Sequence, residues 1–231
     1  LHIDAVIAVG EKARGIAAEA PNAQWYAAAE DALPALPQEE QYRLGWEAGE
    51  ILRALHTIPA PAEAEDWESR FNRKIERKIQ LYRDCPYKYE NGEAFIRYME
   101  ENRGLLRGRP QCMQHGDYHT GNMMLCGGKL FVIDFDRPDA GDPWEEFNRI
   151  VWSAQLSPAF ARGTVDGYFD GAPPLAFWKL LALYIANNTL GSLPWAVPFG
   201  EEQMDIMREQ AAQVLDWYDG MENPVPRWYR A

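Results

Sequence analysis

Between Gln111 and Asp136 the chain reads QCMQHGDYHTGNMMLCGGKLFVIDFD, and its chemistry-bearing side chains crowd into this stretch. Asp117 and Asn122 have four residues between them, and Asp134 follows an apolar run. Two carboxylates and an amide are hard oxygen donors of the kind that suits Mg²⁺. The surrounding residues explain how they could meet. Cys112 and Met113 lead into a polar loop, Met123 to Leu125 reads as a short strand, Gly127-Gly128 as a tight turn, and Leu130 to Ile133 as a second strand. A hairpin of this kind brings the residues before its first strand close to those after its second, so Asp117, Asn122 and Asp134 are expected to converge. A second chemistry competes for the same loop. His115-x-Asp117-x-His119 has the residue types of a Zn²⁺ site and would belong to a metal hydrolase, although His2 and His56 are remote in sequence and add no third imidazole nearby. Taken singly, Asp117 and Asn122 also suit turns, and His115 suits a packed core.

The joint spacing favours the first chemistry. The Asp117–Asn122 interval is that of the protein-kinase catalytic loop, where Asp is the base and Asn a metal ligand, and Asp134-Phe135-Asp136 stands where a kinase carries its metal-binding turn. Gly116 in place of Arg and Asp136 in place of Gly depart from protein kinases. With those departures, HGDYHTGN followed by VIDFD resembles the aminoglycoside phosphotransferase and choline kinase-like superfamily, and residues 140–152, AGDPWEEFNRIVW, resemble its continuation. The resemblance implies a mainly α (α+β) fold: a protein kinase-like large lobe, helical, with a short β-hairpin carrying the catalytic and metal-binding loops. It implies transfer of the γ-phosphoryl of ATP or GTP to a hydroxyl of a small molecule. Asp117 would orient that hydroxyl and accept its proton, Asn122 and Asp134 would hold Mg²⁺, and His115 and Asp136 would support the site. Glu145 and Glu146 lie close enough to the hairpin to be expected at a substrate.

The elements around this stretch are read from periodicity. From Pro37, Leu44, Ala48, Ile51, Leu52 and Leu55 recur at helical spacing until Pro59 and Pro61. The ending LRALHTIP resembles that of the family's first large-lobe helix, which implies a packed structural residue at His56. Residues 66–84 predict a second helix with Trp67, Phe71, Ile75, Ile79 and Tyr82 inward and Arg73, Lys74, Arg77 and Lys78 outward. Asn91 is expected to cap a third, running to about Leu106 with Phe95, Met99 and Leu105 buried. Asp142-Pro143 reads as an N-cap with proline at the first helical position, so a helix should start there. Further helices are expected at about 158–169, 173–192 and 201–220. The middle one, apolar on nearly every side, should be central to a core.

Composition sets the outer bounds. A chain of 231 residues, 47% hydrophobic with nine Trp, can bury a sizeable core. Its formal charge of −12 argues against nucleic acid and is compatible with a cationic small substrate. No apolar run is long enough for a membrane span. Cys85, Cys112 and Cys126 lack metal-type spacing and cannot all pair, which predicts buried thiols in a reduced, cytoplasmic setting. Residues 1–24 show only weak strand alternation, with neither a glycine-rich phosphate loop nor a convincing lysine-bearing strand. They are expected to be a stub or linker, with 25–231 forming the large lobe and the nucleotide-covering lobe missing. On that expectation the chain alone binds ATP weakly and self-associates through its uncovered face, and a non-catalytic binding module is the rival to a phosphotransferase.

Overall fold

A computed structural model of the protein describes residues 26–136 and 139–230. It is mostly helical, as the resemblance implies, with two small antiparallel sheets where a single hairpin is expected. The expectations for residues 1–24 lie outside the described residues. Two compact units divide the chain. One comprises the described residues up to Ala62 together with Gln111–Pro173, and the other comprises Glu63–Pro110 and the residues from Pro174 onward.

The first unit contains every candidate site residue. Strand β1 (Tyr26–Ala28) leads into a single helical turn, α1 (Ala29–Ala32), and then the long helix α2 (Gln38–Leu55). After Gln111 come β2 (Cys112–Gln114), β3 (Met123–Cys126), β4 (Lys129–Val132) and β5 (Asp139–Gly141). The expected hairpin is β3–β4, with Cys126 opposite Lys129. Gly127 and Gly128 form its two-residue turn with φ of 56° and 75°, the left-handed pair that matches strand twist in a tight hairpin. Two pairings were not foreseen: β1 lies antiparallel along β3, and β2 pairs with β5. β1 has only Tyr-Ala-Ala, and β5 only Asp-Ala-Gly, so neither shows the apolar alternation that marks a strand.

The helix expected at Asp142-Pro143 begins later. Asp142 Oδ1 accepts from the Trp144 N–H at 2.9 Å, which makes a local turn, and Glu145–Arg149 continues as a 3₁₀ segment before helix α5 (Ile150–Leu156). Helix α6 (Pro158–Phe169) follows at once, its first turn capped by the Ser157 hydroxyl accepting from Phe160 N–H at 3.0 Å.

Helices α2 and α6 are in backbone contact. Gly45 and Gly49 on one face of α2 meet Gly163 and Gly167 on one face of α6. A Cβ at Gly45 or Gly49 would overlap the carbonyl of Phe160 or Thr164, and one at Gly163 or Gly167 the carbonyl of Tyr42 or Trp46. Glycine at a spacing of four on both helices therefore sets how near they come. Tyr42 O–H clips the seam by donating to Asp166 Oδ2 at 3.0 Å.

In the second unit, α3 (Trp67–Asp84) buries Trp67, Phe71, Ile75, Ile79 and Tyr82, the inward face predicted for it, with Asp66 capping its first turn through Ser69 N–H. Helix α4 (Glu93–Asn102) buries Phe95 and Met99 but is shorter than expected, because Arg103–Leu106 tightens into 3₁₀ and buries Leu106 rather than Leu105. Asn91 does not cap it: the residue is left-handed at φ 59°, and Gly92 is the cap position. Helix α7 (Leu175–Ala196) is the core of this unit, with every residue from Leu180 to Ala186 buried. Helices α8 (Glu201–Trp217) and α9 (Arg227–Arg230) complete it. No helix among the described residues is long and apolar enough to cross a membrane. Cys85 and Cys112 are buried free thiols, while Cys126, expected to be buried, is partly accessible.

The glycine seam gives a stability prediction. Alanine normally favours an exposed helix position over glycine by about 1 kcal/mol, but forcing a methyl into a filled contact costs about 1–3 kcal/mol or more. Overlap with a backbone carbonyl should win. Gly163→Ala is expected to lower the urea midpoint at unchanged slope, and a midpoint equal to or above the wild-type value would show that the helices can separate at little cost.

Candidate active site

His115-Gly116-Asp117 leaves β2 in a sharp turn. Gly116 has φ 88°, a backbone state that arginine at this place would enter only with strain, which accounts for the departure from the protein-kinase pattern. The turn is held from below by one side chain. Glu146 is 3% exposed, and its Oε2 accepts from His115 N–H at 2.6 Å while Oε1 accepts from Gly116 N–H at 3.0 Å. Glu146, expected from the sequence to face a substrate, is instead a buried brace. Glu145 is partly exposed and receives Gln114 Nε2 at 3.4 Å, with Gln114 also donating to Asp142 O at 2.9 Å.

The other members of the loop are fixed with similar economy. His115 is fully buried: Nε2 lies 2.8 Å from Ile133 O, Asp117 N–H points at Nδ1 from 3.3 Å, and Phe135 packs its ring 4.6 Å away. Both ring nitrogens are engaged with backbone, so His115 is not presented as a zinc ligand with His119, whose Nδ1 accepts from Gly121 N–H at 3.1 Å. Among the described residues no group of three or more His, Cys, Asp or Glu is arranged to hold a metal ion. Tyr118, next to Asp117, sends its hydroxyl to Ala48 O on α2 at 2.6 Å, and full burial, with Glu146 nearby, holds that phenol well above its ordinary pKa. It is an anchor rather than an acid. Burial likewise pushes the Cys112 thiol up to about 12, which leaves it inert.

Asn122 joins the three predicted oxygen donors. Its Nδ2 donates to Asp117 O at 2.9 Å, and its own carbonyl accepts from Ile133 N–H at 2.9 Å, one residue before Asp134. The hairpin does bring Asn122 and Asp134 together, as the strand reading requires, and with Nδ2 committed to the backbone the amide oxygen of Asn122 remains for a cation. Asp134 is exposed and left-handed at φ 65°, a conformation that costs a non-glycine residue energy and is found where function constrains the chain. An amide oxygen and a carboxylate on adjacent backbone fit Mg²⁺, which takes few protein oxygens and completes its shell with water or phosphate. Asp136 is exposed beyond Phe135.

One residue was missed by reading the sequence. Arg149 Nε lies 3.2 Å from Asp117 Oδ1, with His119 Nε2 3.6 Å from the same oxygen. Arg149 ends the 3₁₀ segment that carries Glu146, so one short turn supplies both the brace beneath the loop and a cation beside its carboxylate. The tail pattern was visible, but its three-residue offset gains meaning only once the segment is known to be 3₁₀.

The model of the phosphotransferase enzyme family (APH) matches residues 19–178, and the chain belongs to that family. A search of the curated proteins found no match. Among solved structures, the fold is similar to the gentamicin complex of APH(2″)-IIa, with 19% identity, a TM-score of 0.56, and coverage of 80% of this chain and 66% of that one. It is also similar to a choline/ethanolamine kinase family protein from Mesorhizobium loti (14% identity, TM-score 0.60, 82% and 68% covered). The GDP complex of aminoglycoside 2′-phosphotransferase-IIIa is a third case (13% identity, TM-score 0.61, 80% and 65% covered). The chain spans about two thirds of the length of these structures, and at such identities the likeness is one of fold.

The two contacts that flank Asp117 should differ sharply in worth. Removing Glu146 leaves a buried backbone N–H, and a second partly buried one, without acceptors, at about 1–3 kcal/mol each. The Arg149–Asp117 pair is solvent-screened, at 35% and 24% side-chain exposure, and such pairs are worth about 0–1 kcal/mol. Glu146→Ala is therefore expected to destabilise the fold by several times more than Arg149→Leu in denaturant titration. Equal losses would contradict the assignment of Glu146 as the brace.

Proposed function

We propose that the chain is the catalytic large lobe of a small-molecule kinase, transferring the γ-phosphoryl group of ATP or GTP to a hydroxyl. The observation that carries this reading is the pair of hydrogen bonds at Asn122, whose Nδ2 donates to Asp117 O and whose backbone carbonyl accepts from Ile133 N–H, so that the base candidate and both oxygen donors are tied into one unit. Asp117 accepts the hydroxyl proton and orients the oxygen. Asn122 Oδ1 and Asp134 hold Mg²⁺, which when bound neutralises charge on the nucleotide phosphates. His115 keeps the two loops in register through Ile133 O, and Asp136, exposed after Phe135, supports the site. In this chemistry most of the rate comes from positioning and charge neutralisation, so a rigidly braced loop is the feature that matters.

Family membership supports the reaction class, and the solved relatives include a gentamicin complex, a GDP complex and a choline/ethanolamine kinase family protein. For this chain we infer a cationic hydroxyl compound as the acceptor, in keeping with its charge of −12. We place it in the cytoplasm, where its free thiols would stay reduced.

Assayed in the complete protein, Asp117→Asn is expected to lower kcat by about 10²–10⁴-fold, the range for loss of a general base. MgATP affinity, measured by calorimetry, should stay unchanged because the metal ligands are intact. Full activity in that variant would sink the assignment of Asp117. Loss of nucleotide binding with it would instead make Asp117 a metal ligand.

A further inference from the structure

His56 ends helix α2, far in sequence from the catalytic loop, yet its imidazole is buried with 4% exposure beside the brace. Its Nδ1 lies 2.9 Å from the hydroxyl of Tyr168 on α6, and the two rings meet edge to face at 5.5 Å. Its Nε2 is a buried nitrogen with no hydrogen-bond partner, and 3.9 Å from it is Oε2 of Glu146, the oxygen that accepts from His115 N–H. That separation exceeds a hydrogen bond. Both groups are nonetheless out of water, where charges and dipoles are poorly screened.

We infer that His56 is a positioning residue for the catalytic loop, acting through Glu146. The Tyr168 hydroxyl donates to Nδ1, which fixes the neutral ring as the tautomer with its proton on Nε2, directed at Glu146 Oε2. Glu146 then has three N–H dipoles around one buried carboxylate: two from the backbone and one from the imidazole. The order of action runs from Tyr168 to His56, from His56 to Glu146, and from Glu146 to His115 and Gly116, which set where Asp117 stands. A ring present only to fill space would not need its unpartnered nitrogen aimed at the one buried carboxylate that grips the loop. The consequence for turnover rests on the phosphoryl-transfer reading. The positioning itself does not.

Hydrogen exchange of backbone amides, read by NMR on the full chain, separates the two. His56→Phe keeps the ring volume and removes the N–H, and Tyr168→Phe keeps the ring and removes the hydroxyl that selects the tautomer. Both are expected to speed exchange at His115 and Gly116 by up to about tenfold, since a polar contact longer than a hydrogen bond is worth no more than one hydrogen bond's net contribution. Amides within α6, such as Gly163, should be unaffected. His56→Gln, which can present an N–H near the place of Nε2, should restore most of the protection. A uniform rise across the unit, or no change at His115 and Gly116 in either variant, would overturn the inference. If the selective rise is seen but the complete protein transfers no phosphoryl group, the inference stands and the functional reading fails. If transfer is found, His56→Phe should lower kcat with KM for the nucleotide unchanged.

Discussion

A single buried carboxylate holds this site together. Glu146 supplies two acceptor oxygens to the backbone N–H groups of His115 and Gly116, and every other placement follows from that grip. With the turn fixed, His115 can reach Ile133 O, Asp117 N–H can reach the imidazole, and Asn122 can close on Asp117 O. Gly116 has a positive φ of 88°, a backbone state that favours glycine, and its N–H meets the same carboxylate as that of His115. Removing the carboxylate would release a connected network rather than one contact, and such networks lose more than the sum of their pairs.

The brace needs a rigid floor, which the glycine seam between α2 and α6 provides. Because the two backbones touch, α2 can offer Ala48 O to Tyr118 on one side of the site and His56 to Glu146 on the other. Tyr168, which holds His56, sits one residue beyond Gly167 on α6. Bulkier side chains in the seam would move these anchors by ångströms, a distance that matters for groups that must meet a reacting hydroxyl. The absence of side chains in one place thus sets the precision of side chains in another.

Much of this was legible in the residues alone. The Gly127-Gly128 turn and its apolar flanks gave the hairpin, the loop spacing gave Asp117, Asn122 and Asp134 as candidates, helical periodicity gave the buried face of α3, and apolar residues on nearly every side gave the core helix α7. What escaped has physical reasons. β5 pairs through Asp-Ala-Gly, which carries no strand pattern, because its partner β2 supplies the burial. Asp142-Pro143 has the chemistry of an α-helical start, yet Asp142 folds onto Trp144 and the chain tightens into 3₁₀, which is what turns Glu146 under the loop and Arg149 beside Asp117. Glu146 is expected from the sequence at a substrate, since a carboxylate is rarely buried unless backbone donors await it, and those donors are thirty residues earlier. Glycine repeated at a spacing of four in both α2 and α6 was the available sign of close helix packing.

The central claim is that the braced turn brings Asn122 and Asp134 to one metal-nucleotide position beside Asp117. Paramagnetic broadening of amide resonances by Mn²⁺ in the presence of ADP tests it most directly, because the effect falls steeply with distance from the ion. The predicted result is that Asn122, Ile133 and Asp134 broaden first, followed by Asp117, at ion concentrations that leave the rest of the spectrum sharp. Broadening that begins elsewhere, for example at Glu39 and Glu40 near the start of α2, with Asn122 and Asp134 still sharp, would contradict it.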